Sequence, residues 1–134
     1  MNVEDREILL DPSTLQWLPF DDGIEVKLLR ASEETGTWTV LLNCSAGSSI
    51  ARHKHLGAGE YFVVSGRMDY RIGSAKTGDY GYEPLGVIHD HTYFPEDTLL
   101  FFTNHGAVVF IDEKDEVTGV LNHEVMQALS EQSV

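Results

Sequence analysis

Short segments of alternating apolar and polar residues run through most of the chain, separated by glycine, proline, asparagine and aspartate. Successive side chains on a β-strand point to opposite faces, so a period of two predicts strands. Over residues 37–45, for example, Trp38, Val40, Leu42 and Cys44 fall on one face. Turn signals recur about every 8–12 residues, a spacing typical of sandwiches and closed barrels. The pattern therefore predicts an all-β fold rather than alternating strands and helices.

About eight to ten short strands are expected from this pattern. The clearest cover residues 24–29, 37–45, 61–64, 67–72, 79–83, 98–104 and 107–112, and residues 73–78 read as a loop. Residues 121–132 predict a C-terminal helix, because Leu121, Val125, Met126 and Leu129 fall on one stripe. Residues 1–23 predict a short strand or an N-terminal arm that packs either on its own sheet or on a partner subunit.

The whole chain, residues 1–134, is expected to form one domain. Its 22 acidic residues exceed its 9 lysines and arginines, which gives a net charge of −13. This charge argues against nucleic acid and anionic membranes as partners, since phosphate binding needs a basic patch. The single cysteine, Cys44, cannot form an internal disulfide, and its strand position indicates a core thiol. With no apolar leader sequence, we expect a cytoplasmic protein.

One stretch, Gly47 to Gly66, carries the strongest chemical signal. His53 and His55 are two residues apart, so on a strand both imidazoles leave the same face. Glu60 follows a glycine-flanked bend. Imidazole and carboxylate groups together suit iron, zinc, nickel or manganese. A second stretch, from Gly78 to His89, adds another histidine, so the sequence suggests a metal pocket inside a small barrel.

These two stretches resemble the paired motifs of the cupin superfamily. Residues 47–66 follow the first motif, G-(X)5-H-X-H-(X)3–4-E-(X)6-G, except that five residues rather than six separate Glu60 from the final glycine. Residues 78–89 match the second motif up to its histidine, and Tyr93 stands where the family has asparagine. The resemblance implies a double-stranded β-helix barrel, usually a homodimer. It also implies that the metal ligands are His53, His55, Glu60 and His89.

The missing residue after Glu60 bears on its role as a ligand. A one-residue slip on a strand would turn its carboxylate out of the barrel. Glu60 falls on the same strand face as Phe62 and Val64, which we expect to point inward. The preceding glycines permit a bend that turns the Glu60 side chain back toward the inside of the barrel. The competing carboxylate is Glu83, which directly precedes Pro84.

Among cupins, the sequence is most similar to the acetylacetone-cleaving and 2,4'-dihydroxyacetophenone dioxygenases. The likeness runs through residues 36–39, the H-K-H stretch, residues 82–89 and the 111–112 strand end. It implies an iron(II) site of His53, His55 and His89. It also implies that Glu83 or Glu60 forms a hydrogen bond with one of these metal ligands or with the substrate. The implied reaction is cleavage of a C–C bond in a small β-dicarbonyl or hydroxyketone. We expect Phe62, Phe101 and Met68 to line the barrel.

Two other functions are compatible with the same motifs. The cupins of zinc-binding anti-sigma factors look similar, so a metal-binding sensor is one alternative. A non-redox isomerase or lyase with zinc or nickel is another. Three further histidines are less favoured as metal ligands. His91 is expected at the surface or beside the ligands, and His105 in the core or the pocket lining. His123 is expected in solvent on the helix.

Overall fold

The computed structural model describes residues 6–131, and these are mostly β-strand with one short C-terminal helix. The strands are β1 (Leu18–Asp21), β2 (Ile24–Ala31), β3 (Trp38–Cys44), β4 (Ser49–Ile50), β5 (His53–His55), β6 (Gly59–Ser65), β7 (Arg67–Tyr70), β8 (Gly73–Lys76), β9 (Tyr80–Glu83), β10 (Ile88–His89), β11 (Thr92–Tyr93), β12 (Thr98–Asn104), β13 (Val108–Ile111) and β14 (Val117–Leu121). A 3-10 turn, Pro12–Thr14, precedes β1, and the helix α1 is His123–Glu131. The predicted all-β class is therefore confirmed.

The strands form three antiparallel sheets. The first has six strands in the order β1-β2-β3-β12-β6-β9, the second has the order β10-β5-β13-β14, and the third has the order β4-β11-β7-β8. The chain thus crosses repeatedly between sheets, and several neighbours within a sheet, such as β3 and β12, are distant in the sequence. This crossing brings the two histidine-bearing stretches, β5 and β10, side by side in the second sheet.

The inner face of the six-stranded sheet forms much of the core. Trp38, Val40, Leu42 and Cys44 are all buried, as their spacing predicted. β12 continues the same face, because its residues pair one by one with those of β3 and, after a register shift between Leu99 and Leu100, with those of β6. Burial of such apolar side chains contributes roughly 1.5–3 kcal/mol each. This face forms one wall of the cavity described below.

Two apolar residues of β6, Phe62 and Val64, face outward, and their expected inward placement is wrong. They are 44% and 41% exposed, whereas their neighbours Tyr61 and Val63 are buried. Phe101, directly opposite Phe62 on β12, is also outside. Both faces of this strand are apolar, so the sequence pattern alone could not choose between them.

The structure also differs from the sequence-based prediction at β8, at β14 and at the start of the C-terminal helix. Residues 73–76, expected in a loop, form β8, and β14 was not predicted because its residues are largely exposed. The predicted helix over 121–132 begins later, at His123, and residue 132 lies outside the described part. Asn122 caps it, since its side-chain oxygen accepts from the Val125 backbone amide. Within residues 6–131, no helix is long and apolar enough to cross a membrane.

Candidate metal centre

Three imidazoles converge inside the barrel. β5 lies between β10 and β13, and His53 is directly opposite His89 across the β5–β10 pair. The ring centroid of His53 lies 5.2 Å from those of His55 and His89, which are 5.4 Å apart. All three side chains are buried. The antiparallel register of two short strands is therefore enough to assemble the group.

Glu83, at the end of β9, brings a buried carboxylate to the same point. Its Oε2 atom lies 2.8 Å from His89 Nε2 and 3.3 Å from His55 Nε2. Neither contact has hydrogen-bond geometry: both Nε2 atoms and His55 Nδ1 are buried without a hydrogen-bond partner among the described residues. One donor atom each of His55, Glu83 and His89 lie within 4.8 Å of one another.

The protonation states suit metal binding. Burial lowers the pKa of His53 to about 4, so its imidazole is neutral at neutral pH. Its Nδ1 donates to the Ala51 carbonyl oxygen (2.8 Å), which leaves the Nε2 lone pair free. Burial alone would raise the pKa of Glu83, but its contacts with His55 and His89 outweigh burial and lower that pKa to about 2.

This set of donors fits a divalent metal ion. Buried polar atoms without partners are rare in folded proteins, because each loses its hydrogen bonds to water. Here three such nitrogens stand beside a buried carboxylate, and neutral imidazole with carboxylate is the ligand chemistry of iron, zinc, nickel and manganese. The site is therefore a candidate metal centre.

Glu60 is not brought to this centre. It lies opposite Thr103 on the outer face of β6, and its carboxylate is 39% exposed. Tyr80 Oη donates to its Oε1 and His105 Nε2 donates to its Oε2, each at 2.9 Å. The expected inward orientation of Glu60 is wrong, because the inward positions of β6 belong to Gly59 and Tyr61.

The structure also places the three remaining histidines and Cys44. His91 is exposed and stacks on Tyr93, and His105 is exposed beside Glu60 rather than in the core or pocket. His123 is only partly exposed, at the start of α1. Cys44 is fully buried, as expected of a core thiol.

Two tyrosines beside the centre were not singled out from the sequence. Tyr70 stacks on the His89 ring at 5.3 Å and shares a 2.7 Å hydrogen bond with Tyr61 Oη. Gly81 makes room for this pair, because a Cβ there would lie 2.2 Å from the Tyr61 ring. The chain contains five tyrosines, and the pairing of Tyr61 with Gly81 across β6 and β9 distinguishes it from Tyr80 and Tyr82 in the same strand pair.

Comparison with known families identifies the architecture. Residues 5–109 match the model of the ChrR Cupin-like domain. The chain is 42% identical over 103 residues to an acetylacetone-cleaving enzyme of Acinetobacter johnsonii, a match that covers 72% of this chain and 67% of that one.

Solved structures agree. A candidate acetylacetone dioxygenase of Methylibium petroleiphilum PM1 superposes with a TM-score of 0.88 at 34% identity, covering 96% of each chain. An acetylacetone dioxygenase of Acinetobacter johnsonii superposes with a TM-score of 0.86 at 31% identity, covering 100% of this chain and 96% of that one. The chain therefore belongs to the cupin family, with its double-stranded β-helix fold, and it is an enzyme of the group that includes the acetylacetone dioxygenases.

Proposed function

We propose that the chain is an iron(II)-dependent dioxygenase that cleaves a C–C bond in a small β-dicarbonyl or hydroxyketone. One observation carries the proposal: three buried imidazoles converge beside the buried carboxylate of Glu83, and two of them, His55 and His89, have nitrogens without a hydrogen-bond partner among the described residues. The relatives named for acetylacetone cleavage support the reaction class.

His53, His55 and His89 are the proposed metal ligands. Glu83 is the proposed acidic partner, which faces the nitrogens of His55 and His89 and balances charge at the site. Glu60 is left out of the ligand set because its carboxylate is outside. A bound iron(II) would supply a Lewis acid that favours the enolate of the substrate, and a redox centre for dioxygen.

The surrounding chain supplies orientation and a dry environment. The Ala51 carbonyl fixes the tautomer of His53, and the His89 ring is held between Tyr70 and His53. Beside His53 and His55 the wall is mostly apolar, with Val40, Phe102 and other buried side chains. Exclusion of water strengthens the attraction between an enolate and a cation, since the local dielectric is low.

Metal analysis combined with oxygen uptake tests this proposal. Protein purified without chelators or added metal is analysed for metals, then loaded with iron(II) and given acetylacetone. We expect about one iron per chain and oxygen consumption, both lost in His89→Ala. His91→Ala is the matched control, because this exposed histidine lies two residues away, and it should keep both properties.

The variants also separate the ligands from their partner. Glu83→Gln should retain iron but lose roughly 10–100-fold in activity, as expected for a group that orients ligands. Tightly held zinc with no oxygen uptake after iron loading would point instead to a metal sensor or a non-redox enzyme. A protein that binds no metal after loading would remove the proposed site.

We further propose that the protein is a cytoplasmic homodimer. The single cysteine, which is free and buried, supports a reducing compartment. Exposed apolar side chains support a subunit contact: Ile8, Leu9 and Leu10 of the N-terminal segment are 56%, 102% and 37% exposed. By contrast, Leu18 in β1 is buried against its own sheet. The arm therefore packs on its own sheet at β1, and we propose that residues 8–10 pack on the partner subunit.

A further inference from the structure

A small cavity opens beside His53 and His55, and its wall is nearly all apolar. Apart from the two histidines, the lining includes two side chains with polar atoms, Trp38 and Asn104. Trp38 Nε1 already donates to the Gly106 carbonyl oxygen at 3.0 Å. Asn104 is therefore the polar side chain on this wall that remains available to a ligand.

Asn104 is held in an unusual state for a buried amide. It is the last inward residue of β12 after Leu100 and Phe102, and it is 4% exposed. Its Oδ1 atom is buried with no hydrogen-bond partner in the described part of the chain. Since a buried amide oxygen normally has a partner, this atom points to one that the protein alone does not supply.

A glycine on the neighbouring strand lets this amide lie close to the backbone of β6. Asn104 pairs with Gly59 on β6, which in turn pairs with Glu83 on β9, so the three positions form one inward row. A Cβ on Gly59 would lie 3.1 Å from Asn104 Oδ1 and 2.9 Å from the Phe102 ring. The row places the backbone of Asn104 roughly 9–10 Å from that of Glu83, two strand spacings away.

We propose that Asn104 is a specificity-determining residue whose Oδ1 accepts a hydrogen bond from a hydroxyl group of the substrate. The inference rests on the proposed function and names its substrate class. The preferred substrate is a small β-dicarbonyl or hydroxyketone that carries a hydroxyl on a terminal carbon, in addition to the oxygens that bind the metal. Acetylacetone, whose ends are methyl groups, leaves the amide unpaired. A site built to bond a hydroxyl discriminates strongly against a substrate that lacks it.

The test compares two ligands that differ by one hydroxyl: acetylacetone, and its derivative with one terminal methyl replaced by hydroxymethyl. Their affinities for iron-loaded protein are measured by calorimetry without oxygen. We expect the hydroxylated ligand to bind at least about tenfold more tightly, the effect of one hydrogen bond to a buried group. In Asn104→Leu, which has the same branched shape but no acceptor, the ratio should approach one. Asn43→Leu on the outer face of the sheet is the matched control and should keep the wild-type ratio.

A second readout separates recognition from a structural role. In metal-free protein, Asn104→Leu should raise the melting temperature, because it removes a buried polar atom that has no partner. A lower melting temperature, together with equal losses for both ligands, would make Asn104 a structural residue and overturn the proposal. If Asn104→Leu does not fold, equal affinity of the wild type for the two ligands overturns it equally well.

The outcomes for this inference and for the proposed reaction are distinct. A hydroxyl preference that depends on Asn104, without any oxygen uptake, would keep the recognition role and reject the dioxygenase reaction. Oxygen uptake with no hydroxyl preference would do the reverse. Failure of both ligands to bind would reject the substrate class and, with it, the role of Asn104.

Discussion

Cys44 illustrates how burial sets the chemistry of one side chain. It lies at the end of β3, fully buried, and burial raises the pKa of its thiol from 9.0 to about 12. The thiolate is the reactive form, so at pH 8 its fraction falls about 1000-fold relative to an ordinary thiol. The folded protein should therefore resist alkylation.

We predict that iodoacetamide at pH 8 leaves Cys44 unmodified in the native protein and modifies it quickly in denaturant, as read by mass spectrometry. The sign of the pH effect follows from the raised pKa. Above about pH 9 the unfolded chain loses a proton that the native state keeps, so stability should fall as the pH rises toward 12. Native-state labelling at the rate of a free thiol would contradict this account.

The metal centre shows what residue patterns can and cannot predict. The spacing of His53, His55 and His89 was visible in the sequence, and the structure brings all three together. The orientation of Glu60 was not visible in the sequence, because apolar residues of β6 occupy both faces of the strand. Asn104 could have been found: it continues the alternation of Leu100 and Phe102, and a polar residue at an inward position is itself a signal.

At the scale of elements, two glycines hold the histidine strand in place. Gly57 follows β5, and Gly106 lies between β12 and β13. A Cβ on Gly57 would lie 2.6 Å from the Gly106 backbone nitrogen, so the two turns touch through bare backbone. Hydrogen bonds flank the contact, from Leu56 N to the Ala107 carbonyl (2.9 Å) and from His105 N to the Ala58 carbonyl (2.8 Å).

We predict that Gly57→Ala lowers the free energy of unfolding by about 1–3 kcal/mol, the usual effect of overpacking. Denaturant titration of metal-free protein measures the change. Gly119→Ala in β14 is the control, since its Cβ would lie 3.7 Å from the Phe110 ring, an ordinary contact, and its effect should stay within about 0.5 kcal/mol. Equal effects of the two substitutions would remove the argument from the turn contact.

The sequence predicted the positions of the strands more reliably than it predicted which strands pair with each other. The alternating segments gave β2, β3, β12 and β13 within a few residues. The short pairs β4 and β11, two residues each, carry too little pattern to be seen. Their pairing depends on contacts distant in the chain, which local periodicity does not encode.

At the scale of the whole molecule, two groups of exposed apolar side chains are of interest as subunit contacts. One is the N-terminal segment 8–10. The other is the outer face of the six-stranded sheet, where Phe101, Phe62 and Tyr80 lie in register across three strands and are 41–62% exposed. Apolar patches that remain exposed in one subunit commonly mark subunit contacts.

We predict a mass of about twice 15.0 kDa in sedimentation equilibrium at micromolar concentration. Leu9→Ser should shift the equilibrium toward the monomer, because it removes an apolar side chain that is fully exposed in one subunit. Val117→Ser, in β14 and 58% exposed, is the comparison and should have no effect. A wild-type protein that sediments as a monomer would argue against the dimer.

The position of His53 in its sheet has a consequence for protein engineering. Its two cross-strand neighbours are His89 and Phe110, and directly opposed residues project from the same face. Position 110 therefore faces the same space as the imidazoles, on β13, which is paired on both sides. A histidine or carboxylate introduced there would add a donor group beside the imidazoles, so we expect a substitution at position 110 to change which divalent metals the candidate site prefers.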